Sequence, residues 1–103
     1  MMSDRRCTIV LTGEVQDAGV RGKIMRIAQK LGLVGYVENL PNGTVRIVCE
    51  GPGGVIQEFS GKLDIHDEDI DVEEITLDWS AATGEYEWFE VKFDNLGMEM
   101  FQG

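Results

Sequence analysis

The chain has 103 residues, 43% of them hydrophobic and 27% charged, and a formal net charge of −10. That length suits one globular domain over 1–103, and the composition argues against a nucleic-acid surface or a membrane span, since no apolar run approaches about 18 residues. The charge is lopsided: residues 1–51 hold seven basic and five acidic side chains, net +2, whereas 52–103 hold two and fourteen, net −12.

The opening Met1-Met2-Ser3-Asp4-Arg5-Arg6 has no apolar signal stretch, so the cytoplasm is the expected compartment. Residues 7–15 alternate as a strand, with Cys7, Ile9, Leu11, Gly13 and Val15 on one face and Thr8, Val10, Thr12 and Glu14 on the other. From Val20 the period becomes helical, with Val20, Ile24, Ile27, Ala28 and Leu31 as the apolar stripe and Gly32 as the stop. Val34 to Asn39 reads as a short strand and Leu40-Pro41-Asn42-Gly43 as a tight hairpin turn. Thr44 to Glu50 alternates again, turning Val45, Ile47 and Cys49 inward. Gly51-Pro52-Gly53-Gly54 breaks the chain before a second helix striped by Val55, Ile56, Phe59 and Leu63.

The acidic segment Asp64 to Asp78 lacks the pattern of a calcium loop and reads as a solvated face. Within it begins a strand, 71–80, with Ile75, Leu77 and Trp79 inward, and a last strand covers Trp88 to Phe93. The core spans about 7–93. In the tail 94–103, Met98, Met100 and Phe101 alternate with polar residues, and fraying is expected there. Cys7 and Cys49, 42 positions apart, match no zinc or redox spacing and are expected to be buried free thiols on neighbouring strands.

The order is βαββαβ with one extra C-terminal strand. Two helices and a sheet with one polar face predict an α+β two-layer sandwich with an antiparallel sheet, of the ferredoxin-like kind. Its first strand lies between the third and fourth. The loop after that strand and the hairpin between the second and third then emerge at one end of the sheet, so Arg21 and Asn39 should converge.

The loop Gln16-Asp17-Ala18-Gly19-Val20-Arg21 is electrostatically odd. A helix N-terminus carries partial positive charge, and a cation there costs from a few tenths to about 1 kcal/mol. The arrangement makes sense if an anion sits in the loop, held by backbone N–H groups and clamped by the guanidinium. An exposed arginine in an ordinary strand–helix loop is the alternative.

Gly13-x-Val15-Gln16-x-x-Gly19-x-Arg21, then Leu31-Gly32-Leu33, Gly35-Tyr36-Val37-Glu38-Asn39 and Leu40-Pro41-Asn42-Gly43-Thr44-Val45 follow in order. With Glu50-Gly51 and Thr83-Gly84-Glu85-Tyr86-Glu87-Trp88-Phe89-Glu90-Val91, they resemble the acylphosphatase family over about residues 7–91. The resemblance implies hydrolysis of the carboxyl–phosphate anhydride of acyl phosphates to carboxylate and inorganic phosphate, without metal or cofactor. It assigns phosphate binding to the loop Gln16, Asp17, Ala18, Gly19 and Val20 together with Arg21, and orientation of the attacking water to Asn39. In this chemistry the substrate phosphate takes the water's proton, and His66 lies away from the motifs. The implied partner is a small-molecule acyl phosphate or inorganic phosphate; no nucleic acid and no membrane are expected from charge and hydropathy, and a monomer is expected.

Some residues depart from the family pattern. Asp17 stands where glycine is usual, and a carboxylate about 6 Å from a bound phosphate would repel each unit charge by roughly 0.7–3 kcal/mol. Pointing to solvent or capping the helix would avoid that cost. Val20 replaces a phenylalanine, Gly22 is a poor helix former, Leu40 replaces a hydroxyl residue, and His66-Asp67-Glu68-Asp69 replaces a Gly-Pro segment. These departures keep a second reading open, an acylphosphatase-like anion-binding or protein-interaction domain with weak turnover.

Overall fold

Alternating and helical periods in the sequence become strands and helices in a computed structural model, which describes residues 3–93. The elements are β1 (Asp4–Glu14), α1 (Val20–Lys30), β2 (Val34–Asn39), β3 (Val45–Pro52), α2 (Gly53–Lys62), β4 (Asp71–Ala81) and β5 (Phe89–Lys92). The tail 94–103, with Met98, Met100 and Phe101, lies outside the described residues. Among the described residues no helix is long and apolar enough to cross a membrane.

The sheet runs in the order β4-β1-β3-β2-β5. β1 is antiparallel to both β3 and β4, as the ferredoxin-like arrangement requires, and β2 is antiparallel to β3. The extra strand joins the antiparallel four in the opposite sense: β5 pairs with β2 in parallel, so the five-stranded sheet is mixed. The connection after β4, an edge strand, crosses to the opposite edge, and β5 enters there running alongside β2.

One face of the sheet carries the core. Cys7, Ile9 and Leu11 of β1, Val37 of β2, and Val45, Ile47 and Cys49 of β3 are buried against Val20, Ile24 and Ala28 of α1 and Ile56 and Phe59 of α2. Burying such side chains contributes roughly 1.5–3 kcal/mol each. Cys7 and Cys49 face each other in register and are free thiols. Gly35 permits the closest backbone approach: it has φ +137°, and a Cβ there would lie 1.9 Å from the Val48 carbonyl oxygen.

Two local readings change. Gly51 and Pro52 do not break the chain but finish β3, where Pro52 pairs opposite Asp4 and caps α2 with φ −61° and ψ 138°. Its missing N–H costs nothing at a strand end that turns into a helix. On β4, Ile75, Leu77 and Trp79 share the face of Leu11, Ile9 and Cys7, yet Leu77 is 37% exposed. β4 is an edge strand and α2 packs over β3 and β1, which leaves the middle of β4 uncovered.

The sequence pieces Glu50-Gly51 and Thr83-Gly84 meet in space. The buried Glu50 carboxylate accepts the Thr83 N–H at 2.9 Å, the Gly84 N–H at 3.0 Å and the Arg6 Nε–H at 2.8 Å. Arg6 also pairs with Glu85 and stacks over the Tyr86 ring. Burial works against the charged form of Glu50, but these donors win and hold its pKa below the usual carboxylate value. The connection from β4 to β5 is thereby fixed across the sheet.

Candidate functional site

The loop after β1 is held at both ends by buried valines, Val15 and Val20, and exposes the four residues between them. Gly19 makes the turn into α1 at φ +87° and ψ −10°, a conformation in which a side chain is disfavoured. The helix starts with no acidic residue in its first turn, so its positive end is uncompensated there. Val20 N–H donates back to the Asp17 carbonyl at 3.2 Å. Within the described residues, no acceptor takes the N–H groups of Ala18 and Gly19.

Gln16 is placed differently from its neighbours. Its Nε2 donates to the carbonyls of Leu40 and Thr44, both at 2.8 Å. The side chain therefore ties the loop to the hairpin and spends both amide N–H donors, so the backbone N–H is the donor that Gln16 has left for an anion. The Asp17 side chain is exposed and its carboxylate accepts no N–H bond from the start of α1 among the described residues, so it does not cap the helix.

β2 ends at Asn39, which pairs with Val45, and Val45 pairs in turn with Leu11 near the end of β1. Asn39 thus lies at the end of the sheet from which the loop emerges, on the same face as Gly35 and Val37. Its Oδ1 is buried and takes no hydrogen bond from any donor among the described residues. A buried amide oxygen without a donor costs about 1–3 kcal/mol, so such an atom invites a water or ligand proton.

Arg21, the second residue of α1, reaches the same end from the other side. Its Nη1 donates to the Lys92 carbonyl at 2.7 Å, and the guanidinium lies 5.6 Å from the centroid of the Phe93 ring. Lys92 is level with Glu38, one row short of Asn39. The loop, Arg21 and Asn39 therefore occupy one end of the sheet, from three separate elements. Sequence reasoning missed the anchors of Arg21, because one is a backbone carbonyl and has no side-chain signature. It also read Gly22 only as a weak helix former. Gly22 and Met25 follow Arg21 on α1 and line a cleft of about 460 Å³ between the helix and β5.

The acidic loop is tied to the first turn of α1 through Lys23. His66 lies between Asp71 (2.7 Å) and Asp64 (2.8 Å), whose carboxylates push its pKa up, and Asp67 pairs with Lys23 of α1 at 3.1 Å. Among the described residues, no three His, Cys, Asp or Glu side chains are grouped to hold a metal ion.

A family model described as acylphosphatase matches residues 7–91. An acylphosphatase of Salinibacter ruber is 31% identical over 90 residues, covering 87% of this chain and 95% of that protein. One of Methanococcoides burtonii is 36% identical over 84 residues, covering 82% and 88%. The crystal structure of acylphosphatase from Bacillus subtilis superposes with a TM-score of 0.80 at 27% identity, covering 85% of this chain and 98% of that one.

Proposed function

The chain belongs to the acylphosphatase family of hydrolases, and from that membership we propose how its residues hydrolyse a small-molecule acyl phosphate. The phosphoryl group sits at the start of α1. Arg21 gives it paired N–H donors, and the N–H groups of Ala18 and Gly19 take its remaining oxygens. Water donates one hydrogen bond to Oδ1 of Asn39 and directs its lone pair at phosphorus. As the new O–P bond forms, the bond from phosphorus to the acyl oxygen breaks, and the carboxylate leaves with that electron pair. A water proton passes to a phosphoryl oxygen, giving inorganic phosphate.

No side-chain base is required by this scheme. Phosphoryl transfer is dominated by positioning and charge stabilisation, which a guanidinium, oriented amides and one amide side chain can supply. The observation that carries the reading is the buried Oδ1 of Asn39, without a donor among the described residues, at the same end of the sheet as an exposed glycine loop and an arginine. Water around the exposed Asp17 carboxylate weakens its repulsion of a bound phosphate, so the residue is compatible with phosphate binding in the loop.

The test is hydrolysis of acetyl phosphate, followed by phosphate release with and without EDTA. A rate well above buffer and indifferent to EDTA is expected. A rate equal to buffer, with inorganic phosphate still bound, would favour the anion-binding reading instead.

A further inference from the structure

We infer that the cleft between α1 and β5 is an acyl-group subsite that selects substrates with a bulky, uncharged apolar acyl group, an aromatic one above all. This rests on the phosphate-binding role proposed for Arg21, which lines the cleft. From Arg21 the wall continues through Gly22 and Met25 on the helix and Phe89, Val91 and Phe93 on the strand side. Glu90 also lines the cleft, so its charged residues are Arg21 and Glu90, and the other side chains carry no charge. An acyl carboxylate would have to give up water against them without a partner, which is unfavourable.

Size points the same way. A cleft of about 460 Å³ lies within the range of small-molecule sites, and an acetyl methyl would leave most of it to water. Two features have no role in the core. Gly22 sits inside a helix, where glycine is disfavoured, yet a Cβ there would meet only the end of the Arg26 side chain at 3.4 Å. Nothing in the packing demands glycine; its effect is to keep the helix side of the cleft open. Phe93 is 74% exposed at the other rim, beside the Arg21 guanidinium. An aromatic acyl group could lie along that ring edge or face while its phosphate is held by the arginine.

The experiment compares kcat/KM for benzoyl phosphate, acetyl phosphate and succinyl phosphate in wild type, Gly22→Leu and Met25→Ala. Gly22→Leu puts a side chain into the cleft at a helical position that favours leucine. It is expected to lower the benzoyl-to-acetyl ratio about tenfold, the scale of a few methylene-sized contacts. Met25→Ala removes wall instead of volume and should lower the same ratio severalfold. Succinyl phosphate should be a poorer substrate than acetyl phosphate in wild type. Because each ratio is internal to one protein sample, partial unfolding of a variant does not shift it. Ratios unchanged in both variants, with acetyl phosphate still hydrolysed, remove the subsite and leave the proposed function standing. No turnover of acetyl phosphate by wild type removes the proposed function, and this inference with it.

Discussion

Arg21 Nη1 donates to the carbonyl of Lys92 at 2.7 Å, joining the first turn of α1 to the end of β5 across 71 positions of sequence. One donor of the guanidinium fork is therefore spent on orienting it, and the side chain is aimed before any ligand arrives. Preorganisation of this kind lowers the ordering cost of binding.

Arg21 and Asn39 should fail in different ways. Arg21→Ala removes charge-assisted bonds to the phosphate, each worth roughly 1.5–3 kcal/mol, so inorganic phosphate should inhibit about ten- to a hundredfold more weakly, with turnover lost. Asn39→Ala should lower kcat by roughly 10²–10³-fold, while the phosphate inhibition constant stays within about threefold, because a water-orienting group acts mainly in the transition state. Equal losses of phosphate affinity in the two variants would contradict this division.

Asp17→Gly should strengthen phosphate binding only slightly. The exposed carboxylate interacts through water, so at about 6 Å the penalty is roughly 0.7 kcal/mol per charge pair, or about threefold. The gain should appear at low ionic strength and vanish by about 0.5 M salt, where screening is strong. Isothermal titration with inorganic phosphate at two salt concentrations measures it. A gain that persists at high salt would mean the side chain turns into the loop.

Glu50→Gln should cost about 2–3 kcal/mol of stability at pH 7, since four donated hydrogen bonds lose their charged acceptor. The sign with pH follows from the lowered folded-state pKa. The contribution is complete above the unfolded carboxylate value of about 4.3, and it is lost as pH falls through the folded value. Urea midpoints measured from pH 7 to pH 3 should therefore fall for wild type and less steeply for Glu50→Gln. Parallel curves would assign the acid sensitivity elsewhere.

Both thiols should resist labelling in the native state. Burial pushes the Cys49 thiol up to about 12, and burial also raises that of Cys7. At pH 8 only about one Cys49 side chain in ten thousand would be thiolate, and access is closed as well. Two thiols should react promptly in denaturant without reductant. Rapid native labelling would place Cys7 and Cys49 outside the core.

Much of this architecture was legible because local signals agreed. β2 is legible to its last residue, since Leu40-Pro41-Asn42-Gly43 marks where it must end and the following alternation marks its partner. α1 was equally plain from its stripe and Gly32. What stayed hidden depends on neighbours far away in sequence. Alternation in Phe89–Lys92 says strand but not which edge it joins or in which direction. Leu77 has the right phase to be inward, and only the span of α2 decides that it is not fully covered. In the candidate site, Arg21 and Asn39 stand out by residue type. The tie from Gln16 to two carbonyls and the anchor on Lys92 use backbone acceptors that every residue possesses.

The position of β1 at the heart of the sheet has a kinetic consequence. Neither of its flanking strands adjoins it in sequence, so during synthesis β1 has no lasting partner in this sheet until β3 follows, and no second one until β4 does. Closing such distant pairings is slow compared with helical bundles, on the order of milliseconds to seconds. Arg21 gains its Lys92 anchor only once β5, the last described strand, has docked. Assembly of the site is thus a report on completed folding, and recovery of activity after dilution from denaturant should trail the burial of Cys7 and Cys49.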